Sequence, residues 1–318
     1  MSFASETKKE LVSLTVSECC ARSELSALMH LNGHLTLSSK GMRLEFETQN
    51  AAIARRFVKL LRQLYDVKIE VLTRRLVRLN KNNVYIVRIV QFTHMIATDL
   101  QLLNESGLNA HIAPELINKN CCKRAYLRGA FLATGSVNNP ETSAYHLEIS
   151  SLKKSLAEDI KDLMNEFHLN ARTLKRKKGY IVYLKESEKI SDFLRVIQAT
   201  NAVLDFEDIR IFRDMNNSVN RIRNCEIANL NRSWDAANQQ LQNIALIEET
   251  VGLDILSEKE LEVVHLRRKY PDATLTELSE YYTEEYNQSI SKSGINHRIR
   301  KINALADKIR SQEEAEAK

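Results

Sequence analysis

The chain has 318 residues, enough for two or three domains at roughly 100–200 residues each. It contains only 8 glycines and 3 prolines, which argues against a turn-rich β-sandwich, a collagen or a disordered linker protein. The formal net charge of +5 conceals an uneven layout. Residues 1–120 carry 16 basic and 11 acidic side chains, residues 121–224 carry 18 and 13, and residues 225–318 carry 12 and 17. A net +10 over the first 224 residues followed by −5 over the last 94 permits a nucleic-acid partner without demanding one.

The first residues, MSFASETKKE, lack the apolar core of a signal peptide. No apolar run approaches the roughly 18 residues that span a membrane, so a cytoplasmic protein with no membrane partner is expected. The five cysteines, Cys19, Cys20, Cys121, Cys122 and Cys225, form two adjacent pairs and one single residue, unlike a secreted disulfide framework. With no CxxC pair in the chain, neither a zinc finger nor any other metal or cofactor site is expected. The paired cysteines read as small apolar helix-packing residues, with a redox switch as the alternative. His30 and His34 are four apart, but the helix lacks the Glu of HExxH, which argues against a zinc protease. P-loop, GxGxxG and GxSxG motifs do not occur, so nucleotide-driven and serine-hydrolase chemistry have no support.

An internal repeat organises the first two-thirds. CCARSELSALMHLNGHL begins at Cys19 and CCKRAYLRGAFLATGSV at Cys121, an offset of 102 residues at which Cys19/Cys121, Cys20/Cys122, Arg22/Arg124, Leu25/Leu127, Gly33/Gly135 and Leu35/Val137 coincide. LEFET at 44–48 then matches LEISS at 147–151, the helical set Phe57, Leu60, Leu61 and Leu64 matches Ile160, Leu163, Met164 and Phe167, and VYIVRI at 84–89 matches GYIVYL at 179–184. Periodicity gives each half, about 19–107 and 121–209, a helix, a strand pair, an amphipathic helix, a second strand pair and a terminal helix. Two pseudo-symmetric α+β halves suit a two-fold partner such as duplex DNA. The duplicated domain is placed at 1–212.

The first helix of each half ends in a block of small and apolar residues, Leu25–Gly33 and Leu127–Gly135. Small residues let two helix backbones approach closely, and the terminal Gly fits the position after a helix C-terminus. These blocks are similar to the LAGLIDADG motif, two copies of which pack at the centre of homing endonucleases. That resemblance implies an acidic metal ligand before the final Gly, where this chain has Asn32 and Thr134. An amide and a hydroxyl cannot supply the anionic oxygens that hard divalent ions need, so the catalytic positions are degenerate and no enzyme activity is expected.

Two basic clusters occupy equivalent places in the halves: Arg74, Arg75, Arg78 and Lys81 in the first, and Lys175, Arg176, Lys177 and Lys178 before Gly179 in the second. They read either as phosphate contacts on a DNA-facing saddle or as solvated hairpin loops. In a linker placed at 213–225, Arg221, Arg223 and Asn224 either touch a DNA backbone or tie the domains together.

The remaining residues, 226–310 with a polar tail at 311–318, read as an all-α helix-turn-helix domain. A long helix from Glu226 carries Ile227, Leu230, Trp234, Ala237, Leu241 and Ile244 as a seam for another helix. Ser257-x-x-Glu260 and Thr274-x-x-Glu277 are capping boxes that open two further helices. The last helix puts Ile295, Ile299, Ile302, Leu305 and Ile309 on one face, with Lys292, Ser293, Asn296, His297, Arg298, Arg300 and Lys301 as recognition-helix candidates. From Tyr286 to Ala306 there are four Lys or Arg residues and no acid, the character that major-groove readout requires: Arg can pair with guanine and Asn with adenine.

The block CCKRAYLRGAFLATGS, the segment MNNSVNRIRNCEIANLNR (215–232) and the terminal SKSGINHRIRKI together resemble the WhiA family of bacterial DNA-binding regulators. That resemblance implies a degenerate LAGLIDADG-like domain followed by a helix-turn-helix. It also implies a transcription factor linked to sporulation in actinobacteria and to cell division and chromosome segregation in other Gram-positive bacteria. Double-stranded DNA is the expected partner. The alternatives are a scaffold that binds a transcription or cell-division factor and, more remotely, an active homing endonuclease.

Overall fold

The computed structural model describes residues 2–38, 41–75, 83–104, 107–142 and 144–316. The chain divides into two compact units, Met1–Asp214 and Met215–Lys318.

In the first unit the repeat folds as its periodicity predicts. After a short helix α1 (Phe3–Leu11), the first half runs α2 (Glu18–Asn32), β1 (Gly33–Ser38), β2 (Gly41–Thr48), α3 (Ala51–Leu64), β3 (Ile69–Arg75), β4 (Asn83–Ile89) and α4 (Thr93–Asp99). A two-stranded ribbon, β5 (Leu103–Asn104) with β6 (Gly107–Leu108), leads to the second half. That half runs α5 (Asn120–Thr134), β7 (Gly135–Val137), β8 (Leu147–Ser151), α6 (Lys154–Asn165), β9 (Arg172–Arg176), β10 (Gly179–Leu184) and α7 (Ser187–Val196). Each half builds an antiparallel four-stranded sheet, in the orders β1-β2-β4-β3 and β7-β8-β10-β9. The matched apolar residues Phe46 and Ile149, and Phe57 and Ile160, are all buried, and Phe46 stacks on Phe57 at 4.3 Å between ring centroids.

The two motif helices, α2 and α5, pack directly against one another along the middle of this unit. A Cβ on Gly129 would lie 2.5 Å from the Glu24 carbonyl oxygen and 2.9 Å from Ala27 Cβ, so glycine is what allows the close approach. Gly33 and Gly135 serve differently from a left-handed helix stop. Both are extended (φ −87° and −71°) and pass straight from helix into strand. They must be glycine because a Cβ would meet the Met29 carbonyl oxygen at 2.3 Å or Phe131 Cδ2 at 2.4 Å.

A charged cluster is sealed beside this contact. The buried Glu24 carboxylate accepts hydrogen bonds from Arg56 at 2.8 and 3.0 Å and from Arg128 at 2.9 Å. Arg128 also donates to Gln198 at 2.8 Å, and Arg56 donates to the Leu14 carbonyl. One acid on α2 thereby holds a base from α3 and a base from α5, all with side chains at most 1% exposed.

In the second unit the regular elements among the described residues are helices, with one 3-10 turn at Leu253–Ile255. Helix α8 spans Thr200–Thr250 and so begins 26 residues before the Glu226 read from the apolar seam. The segment placed as a linker, 213–225, lies within it. It is followed by α9 (Glu258–Lys269), α10 (Leu275–Tyr286) and α11 (Lys292–Glu316). Both capping boxes form: the Ser257 amide donates to Glu260 at 3.0 Å, and the Thr274 amide donates to Glu277 at 2.7 Å. The seam on α8 is used in part. Ala237 and Ile244 are buried, whereas Leu230 and Trp234 are 65% and 57% exposed. Among the described residues, none of the helices is long and apolar enough to cross a membrane.

Replacing Glu24 by Gln would leave two buried guanidinium groups without an anion and is expected to cost about 3–5 kcal/mol, measured by urea unfolding. His30 gives a pH signature. Its buried ring is bonded to the Tyr126 hydroxyl at 2.9 Å, and burial, with the charge of Lys153, pulls its pKa down to about 4. The unfolded state takes up this proton near pH 6.5 and the folded state only near 4, so stability falls as pH drops between those values, by up to about 3 kcal/mol. In His30→Asn that acid-side decline of the urea midpoint should flatten; an unchanged slope would assign the decline to other groups.

Candidate nucleic-acid interface

The helix-turn-helix is built from α10, a turn with Asn287 in the left-handed conformation (φ 53°), and α11. The Ser291 hydroxyl accepts from the Gly294 amide at 3.2 Å and caps α11. Ile295 and Ile299 seat this helix on Val263, Leu266, Leu278 and Tyr282, and Ile302, Ala306 and Ile309 seat it on Ile244, Ile247 and Val264. Anchoring by these apolar residues fixes which side of α11 faces water.

That outward side carries Lys292, Ser293, His297, Arg300 and Lys301, all exposed, with Asn296 half-buried at its margin. Ser293 and Ser291 share a hydrogen bond at 2.8 Å, and Lys301 lies 3.7 Å from Glu260. Arg298 differs from its neighbours. It donates to the Lys259 carbonyl at 3.2 Å, lies 3.6 Å from Glu262 and sits 5.0 Å over the Tyr282 ring. One position before Ile299, it is turned toward α9 and α10 and clamps the bundle, so it does not share the outward face.

Arg267 was not anticipated from the sequence. Buried at the end of α9, it donates to the Ala273 carbonyl at 2.6 Å and lies near the Tyr270 and Pro271 carbonyls. It thereby ties the stretch between α9 and α10 to the helix end.

In the first unit the basic clusters fall on equivalent edge strands. Arg74 and Arg75 end β3, and Lys175 and Arg176 end β9, with Lys177 and Lys178 forming the two-residue turn to β10. All six are exposed; Arg78 and Lys81 lie outside the described residues. Gly179 closes that hairpin at φ +121°, where a Cβ would meet the Ser151 carbonyl oxygen at 2.5 Å. Carboxylates are interleaved with these bases: Arg74 lies 3.4 Å from Glu47, and Arg176 lies 3.0 Å from Glu148. Deeper in the first sheet, Arg88 bridges Glu45 at 2.7 Å and Glu70 at 3.3 Å. Exposed pairs of this kind contribute about 0–1 kcal/mol, so Arg74 and Arg176 can exchange their partner for a phosphate.

The degenerate motif positions lie at the helix ends. Asn32 donates to the Ala133 carbonyl at 3.2 Å, and Thr134 donates to the Ser150 carbonyl at 2.7 Å. Both side chains are used to tie backbone. Arg221, Arg223 and Asn224 are exposed on α8.

The sequence matches Cys19 with Cys121 and Cys20 with Cys122 across the repeat but does not show that all four come together. The sulfurs of Cys19, Cys20, Cys121 and Cys122 all lie within 4.8 Å of one another. The signal was the repeat itself: equivalent residues near a pseudo-two-fold axis are brought together. A hydrogen bond with Ser17 draws the Cys19 thiol down to about 7, whereas burial pushes Cys122 up to about 12.

A duplicated LAGLIDADG-like domain joined to a C-terminal helix-turn-helix domain defines the class of protein. Residues 18–103 match the WhiA N-terminal LAGLIDADG-like domain, residues 123–216 the WhiA LAGLIDADG-like domain, and residues 219–306 the WhiA C-terminal HTH domain. The chain belongs to the WhiA family. It is 57% identical over 314 residues to proteins named probable cell division protein WhiA from Bacillus mycoides (strain KBAB4) and Bacillus cereus (strain B4264), covering 98% of both chains in each case. Its fold is similar to the crystal structure of full-length DUF199/WhiA from Thermatoga maritima, with a TM-score of 0.57 and 23% identity over 97% of this chain and 98% of that one.

Arg298→Ala removes a carbonyl bond and a ring contact inside the bundle and is expected to lower stability by about 1–2 kcal/mol. Arg300→Ala should leave the urea midpoint unchanged, and equal effects of the two would contradict the division of α11 into inner and outer faces.

Proposed function

We propose that this chain is a non-enzymatic transcriptional regulator that binds duplex DNA, with α11 reading base edges and the first unit adding phosphate contacts. The observation that carries the reading is the outward face of α11: Lys292, His297, Arg300 and Lys301 exposed, and no acid from Tyr286 to Ala306, in a stretch of chain whose net charge is −5. A face to which the helix itself contributes no acid, preceded by a capped helix and a tight turn, suits entry into a major groove. The exposed bases at the ends of β3 and β9 supply sequence-independent affinity.

Two relatives are named probable cell division protein WhiA, and we extend that role to this chain, with chromosome segregation as its DNA-linked aspect. Binding to chromosomal DNA puts the protein in the cytoplasm, at the nucleoid. The neutral side chains of Asn32 and Thr134 support loss of nuclease chemistry, because neither offers an anionic oxygen to a divalent ion.

A second reading has its own observation. On α8 the apolar residues Ile222, Ile227, Leu230 and Trp234 are exposed, which favours a protein partner such as a transcription or cell-division factor.

DNA selected from a random duplex pool, with its affinity measured against salt, tests both parts of the DNA reading. Arg300→Ala should cost about 1–3 kcal/mol on the selected site and relax preference at one or two base pairs. Neutralising Lys175, Arg176, Lys177 and Lys178 together should weaken all sequences alike and flatten the salt slope by roughly 0.9 per lost contact. Failure to select any sequence would transfer the weight to the protein-partner reading, and protein-dependent nicking of supercoiled plasmid with magnesium would overturn the non-enzymatic assignment.

A further inference from the structure

We propose that Cys19, Cys20, Cys121 and Cys122 form a site for one thiophilic divalent ion of the zinc class, shared between the two halves of the first unit. The four sulfurs come from the same two positions of each repeat, at the N-terminal turns of α2 and α5, and all lie within 4.8 Å of one another. A tetrahedral ion with Zn–S bonds of about 2.3 Å holds its sulfurs about 3.8 Å apart. The Cys121 and Cys122 sulfurs are already 3.9 Å apart, and the widest pair needs to close by about 1 Å, within reach of side-chain rotation. A four-iron cubane needs its cysteine ligands spread around a core much larger than a single ion, and four sulfurs this close cannot wrap one.

The surroundings suit a thiolate set. Two helix N-termini converge on it, and their first-turn amides and dipoles favour negative charge. A cleft of about 400 Å³, bordered by Ser17, Cys20, Asn120, Cys121 and Arg124, gives solvent a path to the sulfurs. Cys20 and Cys122 are buried, Cys19 is half-buried and Cys121 is exposed, so the site has a closed floor and an open rim. Binding exchanges one divalent ion for four thiol protons. The complex then carries a net charge of −2, offset by the two helix ends and by the Arg124 guanidinium, which shares the cleft. Such an ion would bridge α2 to α5 at the end opposite Gly33 and Gly135, as a covalent staple does.

The test uses the full-length protein, purified under reducing conditions, stripped with chelator and titrated with cobalt(II) and then zinc(II). The expected result is one cobalt per chain with an intense sulfur-to-cobalt charge-transfer band and tetrahedral d–d absorption, both erased by stoichiometric zinc. Zinc should also raise the melting temperature by several degrees and protect Cys19 and Cys121 from thiol reagents while leaving Cys225 reactive. In Cys19→Ser/Cys121→Ser the cobalt band should disappear, whereas Cys225→Ser should bind as the parent does. The cobalt spectrum of the unaltered chain decides the matter even if the double variant folds poorly. Absence of the charge-transfer band there, a band that persists in a folded double variant, or recovery of these cysteines as disulfides that no longer bind metal after reduction would overturn the assignment.

Discussion

The first unit depends on two helices touching backbone to backbone. Where α2 and α5 cross, Gly129 leaves no room for a side chain, and the Glu24 carboxylate, shielded from water, is shared by Arg56 and Arg128. A buried carboxylate is costly unless it is fully bonded. Here the acid and its two partners come from three different helices, so moving any one of them exposes charge to a low-dielectric interior. Each sheet is attached to its own motif helix through Gly33 or Gly135, without an intervening loop. Fixing the helix pair therefore fixes where both sheets, and the basic strand ends on them, stand within that unit.

Much of this was legible in the sequence, for physical reasons. The repeat is visible because matched positions face matched environments, and burial constrains Phe46 and Ile149, or Phe57 and Ile160, one residue beyond the 102-residue offset, in the same way. The capping boxes were readable because Ser257 with Glu260 and Thr274 with Glu277 act within one helical turn. Long-range geometry was less legible. Arg298 is as basic as Arg300, and only the positions of Glu262 and Tyr282 in space decide that it turns inward. The seam on α8 has an unbroken apolar spacing, yet only its later residues find a partner among the described ones. Gly33 and Gly135 were placed correctly at helix ends but for a different cause, since crowding by Met29 and Phe131 is not a property of local sequence. The four sulfurs required a step that spacing rules do not include, namely folding the repeat onto its own axis.

The two units place their charge differently. On the sheets, bases alternate with carboxylates, as in the Glu45–Arg88–Glu70 bridge. From Tyr286 to Ala306 the chain carries no acid; Arg298, near Glu262, is drawn into the bundle, and Lys301 lies 3.7 Å from Glu260 of α9.

The pairing of Glu24 with Arg128 spans 104 residues of chain. At roughly 5–20 residues per second, the ribosome delivers the arginine about 5–20 s after the acid. During that interval the first half holds Glu24 against Arg56 alone, with the α5-facing side of α2 open to water. A second copy of the first half is a poor substitute, because the position equivalent to Arg128 is Ser26; two second halves would bury Arg128 opposite another Tyr126 with no anion at all. The asymmetry of one ion pair thus favours joining a first half to a second half over joining two like halves.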